Sequence, residues 1–145
     1  MKPFNFMEEA FIEAKKSGSD IPVGCIIELN GEIIARAHNE KELNNDPIAH
    51  AEILAIKRAS NKLNSWRLLG CNLYVTLEPC PMCAWAILNS RINTVYFSSY
   101  DIKYGAMGSK INLSDISNHK IKIFGGIMED IGDKLLDDYF KNLRK

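Results

Sequence analysis

His50-Ala51-Glu52 and, further along, Pro79-Cys80-Pro81-Met82-Cys83 are the stretches of this chain whose residue types and spacing could do chemistry. One imidazole and two thiols are three ligands of the kind zinc takes. A zinc site with three protein ligands keeps its fourth position for water, whereas a structural site closes all four. Water held by zinc has its pKa lowered from 15.7 to about 7, so hydroxide becomes available near neutrality. Glu52 is the only carboxylate inside the motif. It need not bind the metal, and beside it a carboxylate can take a proton from that water and pass it on. Hydrolytic deamination uses all of these parts. Oxygen replaces an amino group on an aromatic ring carbon, and the carboxylate protonates a ring nitrogen and the departing ammonia.

Spacing supports these roles. Cys80 and Cys83 lie at i and i+3, so on a helix they share one face. Pro79 and Pro81 suit a helix start, where a missing amide costs no hydrogen bond. The free amides and the dipole there favour thiolates. His50 and Glu52 are about 200° apart around a regular helix, so they should not both ligate one ion. A first, irregular turn resolves this, with His50 on zinc and Glu52 reaching the water. Asp46-Pro47 predicts the start of that helix.

A blander reading stands beside this one. A lone CxxC also occurs in redox sites and zinc fingers, and a lone HxE is weaker still. A closed structural zinc would need one more Cys or His from among Cys25, Cys71, His38 and His119. Glu52 argues against it, because a structural site has no use for a carboxylate there. His38 and His119 show no partner pattern and read as structural, while Cys25 and Cys71 read as small buried hydrophobes.

The elements that must position these residues follow from periodicity. Met7, Ala10, Phe11 and Ala14 give a helical stripe that ends near Ser17-Gly18. Residues 23–29 and 32–37 read as strands joined by Asn30-Gly31, a strong hairpin turn. A helix is predicted over 47–63, a strand over 73–77, a helix over 80–89 and a strand over 93–98. Ile121 and Ile123 alternate with lysines in a further strand. Ile131, Leu135, Leu136, Tyr139, Phe140 and Leu143 line a closing helix, with Tyr139 or Phe140 expected to pack into the core. Strands alternating with helices imply crossover units and helices on both faces of one sheet. The metal motifs then lie where two helices begin beside strand ends, a usual place for an α/β active site.

The chain has 145 residues, enough for one domain with a real core. Eighteen basic residues balance 18 acidic ones, so no net basic field attracts nucleic acid, and any RNA binding must use a local patch. Residues 1–12 carry acids and lack the apolar run of a signal peptide. No stretch approaches the length of a membrane span. Four cysteines, two of them committed to metal, point to a reducing compartment, with cytoplasm the default.

The runs Asp46-Pro47-Ile48-Ala49-His50-Ala51-Glu52 and Leu73-Tyr74-Val75-Thr76-Leu77-Glu78-Pro79-Cys80-Pro81-Met82-Cys83-Ala84 resemble the bacterial tRNA-specific adenosine deaminases. So do Pro22-Val23-Gly24, Asn39, Ser90-Arg91-Ile92, Gly105-Ala106-Met107-Gly108-Ser109 and the ending Phe140-Lys141-Asn142-Leu143-Arg144. The HxE and PCxxC pattern is itself the signature of zinc nucleobase deaminases, so motif and resemblance are one observation. The zinc signature specifies only that superfamily, and the Gly-Ala-x-Gly-Ser segment and the aromatic-basic tail narrow it. The resemblance implies a three-layer α/β/α fold around a five-stranded mixed sheet of the cytidine deaminase-like kind. It also implies a homodimer that converts the wobble adenosine of a tRNA anticodon to inosine. By position it implies that His50, Cys80 and Cys83 bind one zinc per chain and that Glu52 moves protons. It implies that Asn39 holds the nucleoside, that Ala51 offers its backbone to the base, and that Asp101, Lys103 and Arg144 meet the anticodon stem-loop.

Asn39 also reads as an ordinary turn residue, and Lys103 and Arg144 as solvated surface charges. A deaminase of a free base or nucleoside, of the guanine or cytosine type, remains the alternative on the same scaffold, and the tail helix discriminates against it. Two departures from the family pattern are Trp85, where a small residue is usual, and Ser98-Ser99-Tyr100 in place of a glycine-containing run. The helix bearing Cys83, Trp85 and Ile87 is the expected dimer contact.

Overall fold

The computed structural model describes residues 3–143. Five strands form one mixed sheet in the order β2-β1-β3-β4-β5. They are β1 (Gly24–Leu29), β2 (Glu32–His38), β3 (Asn72–Leu77), β4 (Thr94–Ser99) and β5 (Lys122–Phe124). β1 runs antiparallel to β2 and β3, while β3, β4 and β5 are parallel. The expected hairpin turn is present, with Asn30 at φ 53° and Gly31 at φ 86°. Those left-handed angles are what a two-residue turn needs to match strand twist.

Side-chain alternation along the strands sorts the core into two halves. Cys25, Ile27, Leu73, Val75, Val95 and Phe97 point to one face and meet α3 (Ala51–Leu63) and α4 (Pro81–Asn89). Ile26 and Tyr74 point to the other and meet α1 (Pro3–Ala14), with Leu135 of α5 (Glu129–Leu143) packed against that cluster. The result is the expected α/β/α arrangement. An aromatic ladder crosses the second face: Phe6, Tyr74, Tyr96 and Phe124 follow one another with ring centroids 5.1, 4.5 and 5.3 Å apart. The last three rings sit on paired positions of β3, β4 and β5.

α1 lies so close to β1 that a Cβ at Gly24 would overlap the Ala10 carbonyl oxygen and the Ala14 amide. Both obstacles are backbone, which has little room to give. Gly24→Ala is therefore expected to cost about 1–3 kcal/mol, a fall in melting temperature of roughly 3–10 °C for a chain of this size. Thermal denaturation checks it, and an unchanged midpoint would show that α1 rides further from the sheet.

Three local expectations need correction. The helix predicted from residue 47 begins at Ala51. Asp46 caps no helix; its Oδ1 accepts from the Ile48 amide at 3.0 Å, making a turn that carries the chain into His50. A short helix, α2 (Lys41–Asn44), precedes it where none was predicted. The closing helix is present over Glu129–Leu143, but its apolar stripe is only partly covered. Ile131, Phe140 and Leu143 are exposed, and Tyr139 is half-buried rather than core. Among the described residues no helix is long and apolar enough to cross a membrane.

Candidate active site

Two helix starts meet beyond the carboxyl end of β3. His50 is the last residue before α3, with extended backbone at φ −76°, ψ 150°, and Glu52 is the second residue inside it. Cys80 stands in the same relation to α4, at φ −73°, ψ 172°, with Pro81 opening the helix. The change from extended to helical backbone lets His50 and Glu52 both face one cavity, which regular helical spacing, about 200° apart, would not have done. His50 Nδ1 is 3.8 Å from Cys80 Sγ and 3.4 Å from Cys83 Sγ. All three ligand atoms lie within 4.8 Å of one another. Ligands at ordinary Zn–S and Zn–N distances stand roughly 3.5–3.8 Å apart around a tetrahedral ion, so the three fit one zinc and their soft donors favour it over magnesium or calcium.

The electrostatics agree. The Cys80 thiol is pushed down to about 4, first by the hydrogen bond it accepts from the Cys83 thiol and then by His50. Cys83 is pushed far up because it is the donor in that bond and because it is buried. His50 is raised by its hydrogen bond to Cys80. Two sulfurs and an imidazole thus share protons at close range, which is the place a divalent cation takes. Burial pushes the Glu52 carboxyl up to about 7, with the Cys80 charge adding to it. A carboxyl that titrates near neutrality can both accept and donate a proton there.

Above these groups opens a cavity of about 440 Å³. His50, Glu52 and Cys80 line it together with Asn39, Asp101, Tyr104 and Tyr139. Asn39 is on the wall, but both ends of its amide are engaged: Nδ2 donates to the Ile21 carbonyl and Oδ1 accepts from the Ala51 amide, each at 2.9 Å. The Ala51 amide, expected to face a base, is therefore given to Asn39, and the Ala51 side chain is fully buried. Lys103 is exposed, lines a neighbouring groove, and holds its ammonium 5.4 Å from the Tyr104 ring. Arg144 lies outside the described residues.

Of the residues outside the site, His38 sits 3.5 Å from Glu40, and His119 Nε2 is 2.6 Å from the Ile92 carbonyl, both structural roles. Cys25 and Cys71 are fully buried. On α4, the helix expected to form the dimer contact, Cys83 and Ile87 are buried against the sheet and Trp85 faces outward. Sequence reasoning missed Glu78, a carboxyl 2 % exposed that also lines the cavity, and the Tyr139 hydroxyl, which donates to the Ser19 carbonyl at 2.7 Å. Glu78 stood inside the quoted motif, and a lone acid between a strand and a CxxC was the available signal.

Residues 2–99 match the cytidine and deoxycytidylate deaminase zinc-binding region. A tRNA-specific adenosine deaminase of Bacillus subtilis is 45% identical over 97% of this chain and 89% of its own length. One of Aquifex aeolicus is 47% identical over 96% of this chain and 94% of its own. The chain belongs to the tRNA-specific adenosine deaminase family. A solved structure from work on A-to-I editing by tRNA:A34 deaminases at the wobble position superimposes with a TM-score of 0.85 at 38% identity, covering 91% of this chain and 99% of that one. The zinc-binding region it shares with cytidine deaminases stops at residue 99. Its likeness to tRNA-specific adenosine deaminases runs on through nearly the whole chain, past Asp101, Tyr104 and Tyr139. The metal-holding floor of the cavity lies inside the zinc-binding region, while Asp101, Tyr104 and Tyr139 of its lining lie beyond it.

Proposed function

We propose that this chain converts the wobble adenosine of a tRNA anticodon to inosine by hydrolytic deamination, acting as one domain. The observation that carries the reading is Glu52, a buried carboxyl beside three atoms spaced for one zinc, on the floor of a cavity in a chain of this family. When bound, zinc supplies a Lewis acid that makes hydroxide available near neutral pH. Glu52 accepts one proton of the attacking water and places it on the ring nitrogen, then takes the remaining proton from the new hydroxyl on the ring carbon and gives it to the departing amino group. The ring carbon gains oxygen and loses ammonia, and Glu52 ends as it began. Asn39 and Asp101 position the nucleoside from the wall. Asn39 does so from the end of β2, and it also ties the start of α3 through the Ala51 amide.

The test is purified zinc-loaded protein with an anticodon stem-loop carrying adenosine at the wobble position, scored for inosine. Moving the adenosine one position along the loop should abolish the product. Equal inosine from the shifted loop would defeat the wobble assignment.

With zero formal net charge, the grip on RNA falls to local residues, Lys103 and Arg144 among them. Lys103→Ala is expected to weaken stem-loop binding and to lower the slope of log affinity against log salt by about 1, with zinc content unchanged. Titration at several salt concentrations measures it; an unchanged slope would remove Lys103 from the phosphate contacts.

The working form is a symmetric homodimer, the commonest closed assembly, joined through the outer face of α4. Met82 and Trp85 are exposed there, 36% and 39% respectively. Light scattering that gives a monomer at working concentration would defeat this. The four free thiols fit work in the reducing cytoplasm.

A further inference from the structure

Glu78 lies between the end of β3 and the Pro79-Cys80 turn, and all of its accepting capacity is taken. Oε1 accepts from the Asp101 amide at 3.1 Å and from the Ser109 hydroxyl. Oε2 accepts from the Met107 amide at 3.1 Å and from the Ser109 amide at 3.0 Å. The flanking backbone adds two more ties: the Glu78 amide donates to the Ser99 carbonyl at 2.8 Å, and the Pro79 carbonyl accepts from the Ala106 amide at 2.9 Å. The segment held in this way, 101–109, has no regular secondary structure to hold itself beyond an isolated bridge at Met107. It contributes Asp101 and Tyr104 to the cavity. The Asp101 carboxyl in turn accepts from the Lys103 and Tyr104 amides at 3.2 and 3.0 Å, so Asp101 fixes the turn that presents Tyr104. The approach is so close that a Cβ at Gly105 would overlap both the Asp101 carbonyl oxygen and the Glu78 carboxyl.

We infer that Glu78 is a positioning residue: it fastens the 101–109 segment to the turn that carries Cys80 and so sets where Asp101 and Tyr104 stand on the substrate wall. A buried carboxyl without compensation is costly; here three backbone amides and a hydroxyl supply it, and the loop is ordered in return. The inference deepens the deamination reading and rests on it.

Glu78→Gln tests it, because the amide keeps size and shape but only one accepting oxygen. That oxygen can still take the Met107 and Ser109 amides. The new NH2 then faces the Ser109 hydroxyl, which can turn and accept, and the Asp101 amide, which cannot. One tie is lost, and it is the one nearest the cavity. In zinc-loaded variant protein, KM for the anticodon stem-loop is expected to rise on the order of tenfold, equivalent to 1.4 kcal/mol. kcat should fall by less, and zinc content should match the parent. Hydrogen exchange at the Asp101 and Tyr104 amides should also quicken on the order of tenfold, whether or not the parent deaminates the stem-loop. If the parent is inert on RNA but exchange quickens, the deamination reading fails and the positioning role stands. Unchanged KM and unchanged exchange would overturn the role, and so would loss of zinc with KM unaltered. Should Glu78→Gln fail to fold, Ser109→Ala decides. It removes one donor and leaves the carboxyl, so both readouts should shift in the same direction by a few-fold, and no shift in either would overturn the inference.

Discussion

Glu52→Gln is expected to keep its zinc, to melt no lower than the parent, and to deaminate at least ~10²-fold more slowly, the scale of a lost general base. Glutamine has the same shape but accepts no proton at neutral pH. The stability expectation follows from the sign of the shift. Burial raises the Glu52 carboxyl from 4.5 to about 7, so in the metal-free protein the folded state favours its neutral form. The stability this gives is complete below the ordinary carboxyl value and is lost as pH rises through about 7. A neutral amide has no such loss, so above neutrality the metal-free variant should melt at or above the parent. Near-parent turnover in zinc-loaded Glu52→Gln would remove Glu52 from the chemistry. A large fall in melting temperature would make it a structural residue.

Cys83→Ala is expected to reduce zinc from about one per chain to a small fraction and to destabilise the fold. The thiol is fully buried on the first turn of α4, 3.4 Å from His50 Nδ1. Its loss leaves two ligands on two different elements. Zinc bound only by the native state stabilises it by roughly 4 kcal/mol when free zinc is 1,000 times Kd, and that contribution goes with the site. A melting temperature lower by about 10 °C is the expected scale. Adding a chelator to the parent should lower it similarly and leave Cys83→Ala almost unmoved. Full zinc in Cys83→Ala by elemental analysis would take that cysteine out of the site.

The metal site was legible in the sequence because its information is local. Residue type names the ligand, and spacing within two short motifs states which side chains can converge. The sheet was legible for the same reason, since Asn30-Gly31 and the short apolar runs along residues 23–29 and 73–77 are short-range patterns. The start of α3 was misread because Asp-Pro opens a turn as readily as a helix: the bond from the Ile48 amide to Asp46 serves either, and here the backbone is extended again at His50. The outward face of α4 needed a stricter use of spacing. Cys83 and Ile87 are i and i+4 on one face, so Trp85 between them had to point elsewhere.

The residue Glu78 carried a signal, but its role was out of reach for a different reason. Its partners at Asp101, Met107 and Ser109 lie in a segment with no period to follow, and a carboxyl bonded to backbone amides leaves no trace in the side chains of its donors. The substrate wall is therefore the least legible part of the site, although it bears most directly on what the cavity admits.

A target adenine inside a stacked loop must be turned out into the pocket, at a cost of a few kcal/mol. A free base avoids that cost and also forgoes every flanking contact, and remote contacts are what orient the reacting carbon. The most direct measurement is a parallel assay of one zinc-loaded preparation on four substrates: an anticodon stem-loop with wobble adenosine, free adenosine, free cytidine and free guanine. The account predicts strong deamination of the stem-loop and little or none of the other three. Efficient turnover of guanine or cytidine with the stem-loop inert would contradict it.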